Sequence, residues 1–165
     1  MKFEKYNDVI SSSDKLEFQF KSKGPKGEIK KVVQFTKTQN GDIYNLAFGN
    51  LNEDNSVDDE TTNDNKDRNK ILATIAAIVY EFTAYYPDKM IFFCGTTPER
   101  TRLYRMALTI NLEELKKDFK IYGVLKGIDS FVKVGFRKGI DYFGFIVKRK
   151  SLNLQYEKRI ENKRS

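Results

Sequence analysis

Residues 67–105 constrain the fold most, because they are typical of a helix, a short strand, a tight turn and a second helix. Apolar residues recur at helical spacing over 71–82, which predicts an amphipathic helix, and Asp67 is the candidate for its N-cap. Pro87 ends it, because the residue before a proline is pushed out of the helical region. The five consecutive apolar residues 90–94 then predict a strand covered on both faces. Gly95 introduces the turn before the second helix.

Strand signals lie on both sides of this stretch. Apolar and polar residues alternate over 16–21, and β-branched or aromatic residues are frequent in 29–35 and 43–48, so we expect three antiparallel strands joined by short turns. After the second helix, the pattern predicts a short helix from Asn111 and two C-terminal strands. This order predicts an α+β fold with one mixed sheet, in which the long central helix connects the N-terminal meander to the buried strand.

The length of 165 residues predicts a single domain. We expect residues 1–150 to form this domain. Residues 50–67 are polar and acidic, which predicts a mobile loop. We expect residues 127–139 to be irregular and residues 151–165 to form a charged C-terminal tail.

The composition excludes several kinds of site. The chain has no histidine and one cysteine, Cys94, which excludes histidine-dependent nucleophiles, a thiolate zinc site and an internal disulfide. The acidic residues 58–60 lack the spacing of a calcium loop, so no metal is expected. Acid–base chemistry would have to use Asp, Glu, Tyr or Lys.

The hydropathy and the charge of the chain indicate a soluble protein with an anionic partner. No apolar run reaches the length of about 18 residues that a membrane span needs, and residues 1–5 lack the core of a signal peptide, so we expect a cytoplasmic bacterial protein without a membrane partner. The net charge is +7, and residues 98–165 contain 17 basic against 8 acidic residues. This excess favours phosphate-bearing partners, although an ordinary basic surface would look the same.

The turn after the apolar strand is the strongest candidate site. Thr97 fits the N-cap of the second helix and Pro98 its first position, so unpaired N–H groups there would attract an anion. Arginine side chains grip phosphate in a planar, bidentate way, and a tyrosine adds a ring or a hydroxyl. The alternative is that these arginines pair with Glu81 or with the acidic loop. The predicted ligand-binding residues are Thr96, Thr97, Arg100, Arg102, Tyr104 and Arg105.

Four motifs carry a resemblance to a known family. The segment TPERTRLYRM at 97–106 is the most specific of them, and DRNKILAT at 67–74, KGPKG at 23–27 and YNLAFG at 44–49 accompany it. Together they resemble a family of small bacterial proteins of unknown function, found in Bacteroidota-type bacteria. The resemblance covers residues 15–150 and implies no activity.

A weaker resemblance is to the acetyl-CoA-dependent N-acetyltransferase superfamily, whose order of strands and helices is similar. This resemblance implies that Tyr104 would protonate the departing thiolate, with acetyl-CoA as the cofactor. Acetyl-CoA is expected only under this resemblance; otherwise no cofactor is expected.

Three functions therefore stay open. The first is the binding of a phosphate-bearing ligand, either RNA or DNA or a nucleotide, at residues 94–105, through Arg100, Arg102, Arg105 and the basic C-terminal strand. The second is a divergent acyltransferase or a nucleotide-using enzyme, with Tyr104 as the candidate acid and Glu99 or Glu81 as the candidate base. The third is a toxin–antitoxin component or another protein that acts through a protein partner.

Overall fold

A computed structural model describes residues 3–59 and 64–150 of the chain. The predicted tail at 151–165 and part of the predicted acidic loop lie outside the described residues. Everything that follows concerns the described part.

The N-terminal part supplies five strands. They are β1 (Ile10–Ser11), β2 (Glu17–Gly24), β3 (Gly27–Lys37), β4 (Ile43–Leu51) and β5 (Val57–Asp58). The strands β2, β3 and β4 form the predicted antiparallel meander, with Phe20 opposite Lys31 and Lys31 opposite Asn50.

The C-terminal part supplies three helices and four strands. They are α1 (Arg68–Tyr85), β6 (Met90–Phe93), α2 (Pro98–Ile110), α3 (Leu112–Asp118), β7 (Phe119–Lys126), β8 (Phe131–Gly135) and β9 (Gly144–Arg149). The α+β class is confirmed. The sequence prediction of two C-terminal strands missed β8, which pairs with β7 although we expected residues 127–139 to be irregular.

All nine described strands belong to one mixed sheet. Its order is β1-β2-β3-β4-β6-β9-β7-β8, and β5 pairs with β4 beside this path. The pairing of β4 with β6 is parallel and the other pairings are antiparallel. The helix α1 is therefore part of the long crossover that a parallel pairing requires.

The three described helices pack on one face of the sheet. The Phe82 ring of α1 stacks on Phe35 of β3 at 4.0 Å between centroids, and the Tyr104 ring of α2 meets Phe93 of β6 edge-on at 5.5 Å. Leu115 of α3 joins the same core. The prediction that residues 90–94 are covered on both faces was therefore wrong in detail. Among them, Ile91 and Phe93 are buried and the other three are half-buried, because no described helix lies on the second face.

The segment predicted as a mobile loop is partly built into the sheet. The strand β4 extends to Leu51, β5 pairs with it, and Asn65 is only 2 % exposed. No described helix is long and apolar enough to cross a membrane.

Candidate anion-binding site

An open cleft of about 900 Å³ lies where β3, β4 and the first turns of α1 and α2 meet. We call it the α1 cleft. Its basic side chains come from Lys31, Lys66, Arg68, Lys70 and Arg100, and its acidic side chains from Glu4, Asp64 and Asp67. Its other notable lining residues are Phe48, Leu103 and Tyr104.

The alternation of side chains along β3 places Lys31 in the cleft. It shares the helix-covered side of β3 with Val33 and Phe35, and its side chain is only 4 % exposed. Its ammonium donates to Asn50 Oδ1 and lies 5.8 Å from the centre of the Phe48 ring. Burial lowers the pKa of Lys31, and the Arg100 guanidinium lowers it further.

Arg100 reaches the same ring from the other side of the cleft. Its guanidinium lies 5.5 Å from the centre of the Phe48 ring, and Nη1 donates to the Phe48 carbonyl at 2.7 Å. Arg100 is 9 % exposed. In the part of the chain that the structure describes, neither Arg100 nor Lys31 has a carboxylate oxygen within 4.0 Å. The more distant charges of Asp67 and Asp58 oppose this lowering of the Lys31 pKa.

Gly95 fixes the position of Arg100. A Cβ atom at Gly95 would lie 2.3 Å from the Thr101 nitrogen and 2.6 Å from the Arg100 Cβ. The Gly95 N–H also donates to Thr101 Oγ1 at 2.9 Å. The first turn of α2 can therefore approach the end of β6 closely only because residue 95 has no side chain.

The N-terminus of α1 opens into the cleft without a side-chain cap. We expected Asp67 to cap it, but its carboxylate accepts hydrogen bonds from Tyr6 Oη and Ser22 Oγ instead, each at 2.5 Å. Because these two hydrogen bonds hold the Asp67 carboxylate, it does not cap the helix. The residues of the first turn, 68–71, line the cleft, so the positive end of the α1 dipole adds to the positive charge of Lys31 and Arg100.

A buried asparagine holds this helix start against the β2–β3 turn. Asn65 Nδ2 donates to Ser22 Oγ at 3.1 Å and to the Gly27 carbonyl at 2.9 Å, and Asn65 Oδ1 accepts from the Lys26 N–H at 2.8 Å. Both polar atoms of the Asn65 side chain are therefore hydrogen-bonded, and they connect the wall of the cleft to the sheet.

Tyr104 lies between the cleft and the apolar core. Its ring is buried against Phe93, and its hydroxyl makes no hydrogen bond with the described residues. Burial raises the pKa of Tyr104 to about 12, although the positive charge of Arg100 acts to lower it. The hydroxyl is therefore neutral at pH 7 and can act as a hydrogen-bond donor in the cleft.

The structure brings only two of the predicted ligand-binding residues into the cleft, Arg100 and Tyr104. Thr97 is the N-cap of α2, as predicted, and its hydroxyl accepts from the Arg100 N–H at 3.2 Å. Thr96 donates to the Asp59 carbonyl. The remaining two arginines point elsewhere: Arg105 lies 3.5 Å from the Asp141 carboxylate, and Arg102 is exposed. Glu99, the predicted base, is exposed in the first turn of α2.

The sequence did contain a signal for Lys31. Phe18 and Phe20 in β2 and Val33 and Phe35 in β3 mark the buried side of the meander. Lys31 has the same parity as Val33, which places a charged residue in the inward phase of a strand.

A family model, described as a family of unknown function and named DUF6934, matches residues 2–150. The chain belongs to the DUF6934 family. This confirms the resemblance to a family of unknown function that the motif at 97–106 carried. The bacterial origin and the acetyltransferase resemblance stay predictions. Searches of curated proteins and of solved structures find no match.

Proposed function

We propose that the chain binds a phosphate-bearing ligand of nucleotide size in the α1 cleft. The observation that carries the proposal is the pair of buried cations, Lys31 and Arg100, which face the cleft without a paired carboxylate among the described residues. A buried charge is costly unless an opposite charge or several hydrogen bonds compensate it. A bound phosphate would supply both.

The surroundings of the two cations support a phosphate over other anions. The first turn of α1 offers N–H groups and a positive dipole, which suit the oxygens of a phosphate. Arg100 keeps guanidinium donors beyond the one that contacts Phe48, and the Tyr104 hydroxyl is a further donor. A phosphate has enough oxygen atoms to use all of these donors together.

The size of the cleft favours a small ligand or the end of a strand over a duplex. About 900 Å³ lies within the range of small-molecule sites. A double helix could not enter it. A free nucleotide and the 5′-phosphate of an oligonucleotide offer the same chemistry to Lys31 and Arg100.

Calorimetry with defined ligands tests the proposal. The panel is ATP, AMP, pyrophosphate, acetyl-CoA, and one short oligonucleotide with either a 5′-phosphate or a 5′-hydroxyl. We expect heat with at least one phosphate-bearing ligand. A difference between the two oligonucleotides would identify a strand end as the source, and binding of acetyl-CoA alone would favour the acyltransferase alternative. No heat with any ligand at millimolar concentration would overturn the proposal.

Two arginine variants show whether binding occurs in the α1 cleft. Arg100→Gln removes the buried guanidinium, whereas Arg102→Gln makes the same change two residues later on the exposed side of α2. We expect Arg100→Gln to weaken binding at least tenfold, because it removes a charge-assisted hydrogen bond to the ligand. An equal effect of both variants would place the ligand elsewhere.

A further inference from the structure

The second face of the sheet, which no described helix covers, carries an arrangement that the α1 cleft does not use. On β7, residues 120, 122, 124 and 126 point to this face, because the residues between them face the helices. The register places Lys148 of β9 and Lys133 of β8 on the same side. We call the part of this face formed by β7, β8 and β9 the basic sheet face.

The charge of this surface has one sign. The strands β7, β8 and β9 contain four lysines and one arginine but no Asp or Glu. The four lysines, all exposed on this face, are Lys120, Lys126, Lys133 and Lys148. None of them has a carboxylate oxygen within 4.0 Å in the described part of the chain.

Two of these lysines lie directly opposite each other. Lys120 and Lys148 are register partners across β7 and β9. Like charges in this position destabilise a sheet, and an anion bound across the strands would remove the repulsion. The complementary partner is therefore a polyanion.

Aromatic rings lie among the lysines. Phe131 and Phe143 stack at 4.8 Å between centroids and are 57 % and 42 % exposed. Lys133 lies 4.5 Å from the centre of the half-buried Tyr122 ring. On the neighbouring strand β6, the Phe92 ring lies over Gly144 of β9. A Cβ atom at Gly144 would be 2.9 Å from this ring.

The geometry points to the basic sheet face as a binding surface for single-stranded nucleic acid, with bases stacked on Tyr122, Phe131 and Phe143 and phosphates paired with the lysines. Exposed rings on a sheet can stack with unpaired bases, which a duplex keeps stacked on one another. An acidic protein would use the lysines but would gain nothing specific from the rings. This inference does not rest on the proposed function of the α1 cleft, which lies on the opposite side of the sheet.

Fluorescence anisotropy with the full-length chain tests the inference. The probes are a labelled pyrimidine-rich RNA of about ten nucleotides and a duplex of the same length. We expect tighter binding of the single strand, and a logarithmic affinity that falls linearly with the logarithm of salt concentration. Equal or tighter binding of the duplex, or complete competition by polyglutamate at equal charge, would overturn the inference.

Matched variants separate the rings from the charges. We expect Phe131→Ala to weaken single-strand binding about fivefold or more, since it removes a stacking surface. Ile128→Ala removes an exposed apolar side chain from the turn of the same hairpin and should leave binding unchanged. Equal effects of these two variants would show that the rings do not stack with bases, and would overturn the inference.

The salt dependence tests the lysines. Each phosphate contact to a single strand contributes about 0.7 to the slope, so the double variant Lys126→Gln/Lys133→Gln should lower the slope by about 1.4. The control, Lys116→Gln/Lys117→Gln, changes the same charge on α3, on the other side of the sheet. An equal loss in the control would mean that binding follows net charge alone, which contradicts the inference.

Discussion

The two ends of α1 place cations in contrasting surroundings. At its C-terminal end, Arg149 donates to the Tyr80 carbonyl at 2.7 Å and to Thr83 Oγ1 at 3.0 Å, and lies 5.4 Å from the centres of the Tyr80 and Phe119 rings. At its N-terminal end, Lys31 and Arg100 share one ring and repel each other.

The dipole of α1 acts on the cations at its two ends in opposite ways. Its negative end stabilises Arg149, whereas its positive end faces the α1 cleft. A cation at the C-terminal end is thus a structural part of the fold. At the N-terminal end, the charges of Lys31 and Arg100 add to the positive end of the dipole, and this is the basis of the proposed anion site. Burial of a cation therefore indicates a ligand site only where the surrounding groups leave its charge uncompensated.

The largest effect on stability is expected for Arg149→Met. The variant loses two charge-assisted hydrogen bonds and two ring contacts, so we expect a loss of about 3 kcal/mol in the free energy of unfolding. Urea denaturation measures it. Lys148→Met is the matched control, because its exposed side chain points to the other face of β9. A loss below that of the control would mean that Arg149 has no structural role.

The next effect concerns the wall of the α1 cleft. Asn65→Ala leaves buried groups of Ser22, Lys26 and Gly27 without their partner, so we expect a loss of about 2 kcal/mol. Asn69→Ala changes the same side-chain type at an exposed position of α1 and should stay within about 0.5 kcal/mol of the wild type. If urea midpoints of the two variants agree, the Asn65 network does not hold the helix start.

A pair of tyrosines tests whether a hydroxyl is kept for the ligand. Tyr80 donates to Asp118 Oδ2 at 2.9 Å, whereas the Tyr104 hydroxyl has no partner among the described residues. Tyr80→Phe should therefore cost about 1 kcal/mol and Tyr104→Phe should cost almost nothing, although its ring is more deeply buried. We expect Tyr104→Phe to weaken ligand binding instead. A loss of stability on Tyr104→Phe equal to that of Tyr80→Phe would assign the hydroxyl a structural role.

The smallest effect is a pH dependence. The pKa of Lys31 in the folded chain is lowered from its usual value of 10.5, so between the two values the unfolded chain binds more protons. The stability of the wild type should therefore rise relative to Lys31→Met as pH increases toward 10.5. The tyrosines that titrate in this range are present in both proteins and cancel in the difference. A difference that stays constant from pH 7 to 10.5 would show that Lys31 is not perturbed.

The sequence predicted the frame of the molecule better than its site. The helical spacing over 71–82, the alternation in the meander and the Thr97-Pro98 start of α2 depend on local patterns, and the structure has the corresponding elements. The strand β8 was missed because its pairing with β7 is set by tertiary contacts rather than by a strong apolar alternation.

The site was only half predictable for a related reason. Arg100 and Tyr104 lie on one side of α2, as helical spacing requires. Lys31 is 69 positions before Arg100 in the chain, and the packing of α2 beside β4 brings these two side chains to the same ring, that of Phe48. The cap of α1 was mispredicted because Tyr6 and Ser22, also distant in sequence, bind the Asp67 carboxylate.

The urea midpoint of Lys31→Met, measured with and without pyrophosphate, tests directly whether the buried charge of Lys31 binds an anion. Lys30→Met is the exposed control on the same strand. Without the anion, we expect Lys31→Met to be about 1 kcal/mol more stable than the wild type, since it removes an uncompensated buried charge. With the anion, the wild type and Lys30→Met should gain stability and Lys31→Met should not. A Lys31→Met variant that is less stable than the wild type without the anion, and that gains as much from pyrophosphate, would show that Lys31 is not part of an anion-binding site.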